Sequence, residues 1–448
     1  MNSLFPALIL VSASMAAAAD TPIAIENVNL VSMVNEGVLQ QQTVIIRQDR
    51  IAELGPATRV KAPQGALRIE GSGKYLMPGF AEMHGHLPGP TVAPEVAERI
   101  LFLYLANGIT TVRGMQGHPI QLELRDRIRK GALLGPTLYL AGPAVSGQTA
   151  PTPGKAEQMV REQKAAGYDL IKVQEGLKPE VYEALVKTAK EVRIRFGGHV
   201  PNEVGLIKAL NARQSSIDHL DNFLESLEPD NSAIRNADAT ARVRQLPFHI
   251  DESRIPEIAR AARQSGAWVV PTMALWEVFN NDEKPESLAG RAENQYMPRS
   301  FIEQWSAQKQ KMLANLDPAA GRKVIEMRRK ILAAVRAAGA GIIFGTDSPQ
   351  VFSVPGFSIH REIPILLASG LSVFDILVSG TRNPALYFDA QDEFGVIEKG
   401  KRADLILLSG NPLVDLKHLA QPAGVMARGR WISEIEIRAK LKAYAANP

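Results

Sequence analysis

Two histidines stand one residue apart, His84 and His86, at the end of Pro78-Gly79-Phe80-Ala81-Glu82-Met83-His84-Gly85-His86. In an extended segment side chains alternate, so both rings point to one side. Two imidazoles a few ångströms apart suit a core poorly and a cation well. Four more groups of related chemistry sit in or after short apolar runs downstream. Lys172 lies in Leu170-Ile171-Lys172-Val173, where an uncompensated ammonium is costly to bury. It snorkels at the strand end, pairs with an acid, or is converted to a carbamate able to bridge two metals. His199 follows Gly197-Gly198, His219 follows Ser216-Ile217-Asp218, and Asp347 follows Gly345-Thr346. Singly, each has a plain reading: a hydrogen-bonded core histidine, or an aspartate capping a turn. Jointly they occupy equivalent ends of successive units and read as one metal centre. A carboxylate at Asp347 would serve there as ligand and as the catalytic base toward an activated water. The chain has no Cys, so disulfides, thiol catalysis and sulfur ligands are excluded. Nitrogen and oxygen ligands alone suit Zn²⁺, Mn²⁺ or Co²⁺.

The elements that must hold these groups are legible from periodicity. Strand-like runs at 110–113, 137–140, 170–173, 196–199, 216–219, 268–272 and 342–347 alternate with helical periods. With the His84 segment they make about eight strands separated by helices, the pattern of a parallel α/β barrel. A doubly wound sheet shares the alternation. Polar reactive residues at the ends of many different strands favour the (β/α)8 arrangement, and no Gly-x-Gly-x-x-Gly turn follows an early strand to support a dinucleotide fold. A helix-rich insertion at 280–329 precedes the last strand. Residues 23–51 read as short antiparallel strands, and similar texture returns at 395–429. The texture therefore predicts a parallel α/β (TIM) barrel over 78–393 with a small β domain composed of 20–77 and 394–448.

Over 448 residues the net charge is +4 and 45% of residues are hydrophobic, the balance of a globular protein with a substantial core. The densest basic run, Arg328-Arg329-Lys330, reads as a solvated helix face, so no nucleic-acid partner is expected. The apolar run 4–15, followed by four alanines and Asp20, reads as a signal peptide over 1–19 cut after Ala19. Its n-region carries no Lys or Arg, and a buried N-terminal helix is the alternative. The run is too short to span a bilayer. The expectation is a periplasmic or secreted enzyme acting on a small molecule, free of the membrane after processing, with homo-oligomerisation left open.

These motifs taken together resemble the amidohydrolase superfamily, in the branch of imidazolonepropionase-like proteins and prolidase-type dipeptidases. The resemblance is carried by Leu76-Met77-Pro78-Gly79-Phe80 leading into His84-Gly85-His86, Asn107-Gly108-Ile109-Thr110-Thr111-Val112-Arg113, Tyr168-Asp169-Leu170-Ile171-Lys172-Val173, Gly198-His199-Val200-Pro201, Ser216-Ile217-Asp218-His219-Leu220, Phe344-Gly345-Thr346-Asp347-Ser348, Arg382-Asn383-Pro384-Ala385 and 395–405. It implies a distorted (β/α)8 barrel with a small β-sandwich from both chain ends, and a binuclear centre, usually zinc, with His84, His86 and Asp347 on the first metal and His199 and His219 on the second. Carboxylated Lys172 would bridge the two, and an unmodified Lys172 would leave a mononuclear centre. It implies hydrolysis of an amide bond, with dipeptides or N-acyl amino acids leading; a cyclic amide, lactone or phosphotriester would suit the same centre. A barrel that has lost catalysis and only binds is the reading from another class, and its signature, a missing ligand, is absent. One departure is Gly114-Met115-Gln116-Gly117-His118, where relatives often carry an acid.

Substrate contacts are sought on the strand-end rim. Tyr139, Gln174, His118 and the 348–360 loop lie there; His118 is a contact or a plain loop residue. Arg113 would bind a substrate carboxylate or pair with a neighbouring acid. His360 reads as a supporting residue or a helix start, with substrate contact as a further candidate role.

Overall fold

The computed structural model describes residues 21–446; the expected signal peptide lies outside them. Fifteen strands are found among the described residues. The first five are β1 (Ile23–Leu30), β2 (Leu39–Arg47), β3 (Arg50–Pro56), β4 (Leu67–Glu70) and β5 (Tyr75–Pro78). Seven more run through the centre: β6 (Phe80–Gly85), β7 (Ile109–Gly114), β8 (Thr137–Leu140), β9 (Leu170–Val173), β10 (Arg195–Gly198), β11 (Ser216–Asp218) and β12 (Trp268–Val270). The last three are β13 (Leu405–Leu408), β14 (Gly424–Ala427) and β15 (Arg430–Ser433).

Both chain ends build one sheet, in the order β15-β14-β13-β5-β1-β2-β3 with β4 also on β1. The expected sandwich of two stacked sheets is instead a single hydrogen-bonded sheet of eight strands. The reason lies in β1. Its first half pairs with β4 and its second half with β5, and the change occurs at Asn27, whose φ is +57°. A bulge there bends the strand, so one edge serves two partners. β13 couples this sheet to the rest. All four of its residues are buried; Leu405 and Leu407 face the sheet's core, while Ile406 and Leu408 join the large central core. Alternation along one strand thus fuses two cores.

The central strands are parallel and form two sheets, β6-β7-β8 and β12-β11-β10-β9. Each is followed by helix, and many of these helices open on proline at the first position: Pro94, Pro119, Pro153, Pro179 and Pro318. Proline's fixed φ suits that position and its missing N–H is not needed there. Isolated parallel bridges span the seams between the sheets: Ala141–Leu170 and Val145–Val173 join β8 to β9. Val269–Ile342 and Gly85–Ser348 hold the segment 342–348 between β12 and β6. Continuous ladders do not close the ring. The strand expected at 342–347 is an extended segment without a ladder, because Phe344 donates its N–H to Ser379 and Asp347 turns to a φ of +61°. Along β9, Ile171 and Val173 pack outward into the large core while Leu170 packs inward with Met115 and Ala141. Lys172 shares the inward face.

The helix Met273–Asn280 follows β12, and the insertion expected at 280–329, a candidate lid over the mouth, is helical, with helices Pro285–Ala289, Arg299–Asn315 and Pro318–Ala337. The basic run within it is not uniformly a solvated face. Arg329 and Lys330 reach surface acids, Glu277 and Glu252 respectively, but Arg328 is only 6% exposed. Helical periodicity separates residue 328 from 329 by about 100°, enough to turn one inward and the other out. Arg328 donates Nη1 to the His219 carbonyl at 2.6 Å and Nη2 to the Pro271 carbonyl at 3.0 Å. Its guanidinium lies 4.5 Å from the Trp276 ring centre, and burial lowers its pKa to about 10. Glu362, fully buried, caps the same region by accepting from Met273 N and Ala274 N at 2.8 and 2.6 Å. That supplies a helix start whose own N-cap, Thr272, makes no side-chain cap.

Because Arg328 satisfies two carbonyls and backs an indole, Arg328→Met is expected to cost about 3 kcal/mol of stability. Urea unfolding of variant and parent reads this; a shift below a few tenths of that size would show the contacts to be dispensable.

Candidate metal centre

His84, His86, Lys172, His199, His219 and Asp347 all line one recess of about 260 Å³. It opens at the ends of the parallel strands, so six residues from five separate segments meet in one place. Ring centres of His84 and His219 are 4.4 Å apart, and those of His199 and His219 are 4.7 Å apart. Asp347 Oδ1 lies 3.0 Å from His86 Nε2 and 3.5 Å from His84 Nε2, yet forms no directed hydrogen bond. His84, His86 and Asp347 each offer one donor atom within 4.8 Å of the other two.

Three of these histidines, His84, His199 and His219, have an oxygen close behind Nδ1. Asp218 Oδ2 lies 2.6 Å from His84 Nδ1. Asp221 Oδ2 lies 2.6 Å from His199 Nδ1, with Glu175 Oε1 at 4.0 Å. Thr272 Oγ1 lies 2.8 Å from His219 Nδ1. In all three rings the second nitrogen is left for the recess, and His219 Nε2 is buried without a partner. Burial, reinforced by the Lys172 ammonium, drives the His84 imidazole far below its ordinary pKa; burial and then His84 do the same to His219. Both are neutral, with ring lone pairs available.

Lys172 is 3% exposed, and burial lowers its pKa. Its Nζ is 3.3 Å from His84 Nε2, and among the described residues no carboxylate comes within 4.0 Å to pair with it. Room for its stem depends on Gly198. That residue has φ +119°, and a Cβ there would come within 2.8 Å of Lys172 Cδ, so both the backbone and the space call for glycine.

Beneath the recess lies a buried charge pair. Asp218 is fully buried; burial pushes its carboxyl up, but Arg113 and Lys172 outweigh that and hold it below its ordinary value. Arg113 donates Nη2 to Asp218 at 2.8 Å, Nη1 to Ser216 Oγ and Tyr387 Oη, and Nε to the Met83 carbonyl. Glu82, also fully buried, accepts from His84 N, Thr346 N and Thr346 Oγ1, which ties β6 to the 342–348 segment. Burial pushes its carboxyl up to about 8.

Of the expected substrate contacts, Gln174 lines the recess and four others do not. Arg113 has no exposure at all, so it pairs with an acid and is closed to a substrate carboxylate. His118 is the N-cap of the helix Pro119–Arg129, accepting from Ile120 N. Tyr139 stacks on Phe388 at 3.7 Å between ring centres, toward Phe394 and Arg402. His360 donates from Nε2 to Asn107 Oδ1 at 3.0 Å, and burial lowers its pKa to about 4. The remaining wall is Met115, Gln116, Trp276, Phe279 and Gln350. Met115 and Gln116 belong to the 114–118 stretch singled out in the sequence. Trp276 and Phe279 come from the helix Met273–Asn280, just ahead of the insertion expected to overhang the mouth, and neither residue was singled out in the sequence. Asp218 and Asp221 flank His219 in sequence, and a carboxylate beside a candidate ligand was the available signal.

Residues 75–432 match the sequence profile of the amidohydrolase family. Ochratoxinase of Aspergillus niger is 22% identical over 86% of this chain and 81% of its own length. Among solved structures, a bottromycin amidohydrolase superposes with a TM-score of 0.72 at 22% identity, covering 94% of this chain and 90% of its own. A Xaa-Pro dipeptidase with bound methionine gives a TM-score of 0.67 at 19% identity, over 92% of this chain and 100% of its own. With six candidate ligands gathered in one recess and a profile match over most of its length, this chain belongs to the amidohydrolase family and is a hydrolase of carbon–nitrogen bonds.

Proposed function

We propose that the recess is a binuclear metal centre that hydrolyses an amide bond of a small molecule. The observation that carries this reading is the backing of His84, His199 and His219 at Nδ1, which leaves each Nε2 for the recess, as in metal-binding histidines. The donor set fits the group. Three neutral or oriented imidazoles, an Asp347 oxygen without a directed bond, and a buried lysine lacking a carboxylate partner suit a divalent ion better than one another. His84, His86 and Asp347 would hold one ion and His199 and His219 the other. Lys172 as its carbamate would bridge them, which would also explain why no acid was placed beside it. Nitrogen and oxygen donors favour Zn²⁺, with Mn²⁺ and Co²⁺ as alternatives. Bound ions would supply Lewis acidity, easing ionisation of the attacking water and polarising the scissile carbonyl.

The chain's own residues do the rest. Asp347, facing the recess, takes the proton of the attacking water on a carboxylate oxygen and returns it to the leaving nitrogen. Asp218, Asp221 and Thr272 hold the ring orientations, and Trp276 and Phe279 wall the recess against water. The two parallel sheets and the 342–348 segment would be the staves of a distorted (β/α)8 barrel. A free dipeptide or N-acyl amino acid loses its expected anchor, because Arg113 is committed to Asp218. We further propose that residues 1–19 direct export to the periplasm or medium. Among the described residues no helix is long and apolar enough to cross a membrane.

Metal analysis of the purified, active protein should find close to two equivalents; full activity with a single tightly held ion would overturn the bridged centre. Asp347→Asn should keep at least one equivalent while turnover falls by roughly 10²–10⁴-fold; unchanged turnover removes Asp347 from the proton path. N-terminal sequencing of exported protein should start at Asp20, and a start at Met1 would defeat the export assignment.

A further inference from the structure

Taking the amide hydrolysis proposed above as given, we infer that the substrate carries no carboxylate beside the scissile bond and presents an apolar or aromatic flank to the recess wall. The ground is the charge along the loops that follow the strands. Segments 86–93, 115–118, 141–152, 174–178, 199–205, 219–238, 271–281 and 347–358 make up the strand-end side. Together they contain two Lys or Arg residues, Lys178 and Arg235. Neither lines the recess, and Arg235 is bound to Asp230 and the Pro229 carbonyl. Lys172 is the one Lys or Arg in the wall, and it sits within the ligand cluster. The wall beyond the cluster offers neutral amides, Gln116, Gln174 and Gln350, and apolar surface from Met115, Trp276 and Phe279. Acids approach it instead: Glu175 and Asp221 stand behind His199.

A carboxylate on the carbon next to the scissile nitrogen would fall against this wall rather than on the ligand cluster. There it would lose water without gaining a cation, a cost that recognition sites avoid by providing Arg or Lys. An aromatic flank, by contrast, meets a preset surface. The Trp276 ring is backed by Arg328, and Phe279 packs edge-on to it at 5.7 Å and 63°, so the wall is held in place before substrate arrives. The glutamine side chains can hydrogen-bond a neutral amide with either donor or acceptor.

The test compares N-acetyl-L-phenylalanine with N-acetyl-L-phenylalaninamide on the metal-reconstituted full-length enzyme, following acetate release. The amide should show at least a tenfold higher kcat/KM, mainly through KM, and Gln350→Arg should shrink or reverse that ratio. Equal or better cleavage of the free acid by the parent enzyme overturns the inference. If neither compound releases acetate, the hydrolytic reading fails for this class, and thermal shift on the same protein still decides the charge preference. A rise in Tm with the amide and none with the acid supports it; a rise with the acid alone overturns it.

Discussion

One buried guanidinium underlies the site. Arg113 gathers the Met83 carbonyl, Ser216, Asp218 and Tyr387 around itself, so that β6, β7, β11 and the helix Arg382–Tyr387 meet at a single cation. Without it, Asp218 would be an unpaired carboxylate at zero exposure, a condition that proteins relieve by protonation or rearrangement. Paired, Asp218 stays charged and stands behind His84. The positive charge is thus spent on positioning rather than on substrate, which links the architecture directly to what the recess can recognise.

The rest of the site follows the same pattern of indirect support. Glu82 joins β6 to the 342–348 segment where ladder pairing fails, and Arg328 clamps the carbonyl of His219, a residue at φ +64°, to that of Pro271. These contacts come from side chains because the strands here are short, three or four residues for β9 to β12. Ladder hydrogen bonds alone would leave the ends of such strands loosely determined. Buried charges with several partners each define the geometry more tightly, at the expense of desolvation.

Much of this was legible in the sequence. The six polar groups stood out because apolar strands rarely tolerate His, Lys or Asp, and alternation with helical periods gave the parallel α/β texture. What was not legible depends on side-chain direction near a strand end. A change of one residue turns a group from the recess to the outer face or to the layer beneath, which is why Arg113 and Tyr139 looked like rim residues. His118 stood before Pro119, a pattern of helix starts, and its role as a cap could have been read from that alone. Trp276 and Phe279 were hidden for another reason: they lie in a helix after β12, and nothing local tells such a helix which of its residues will face the strand ends.

The scarcity of cations around the mouth also bears on how a catalytic cycle ends. Hydrolysis of a neutral amide produces a carboxylate and an amine from groups that carried no charge. If the ligand cluster holds the ions proposed for it, the new carboxylate forms beside them, and the rim of glutamines and acids beyond offers it no second counter-ion on the way out. On that reading, the same loops that would select an uncharged reactant would also leave the acid product nothing to hold it once it had left the cluster.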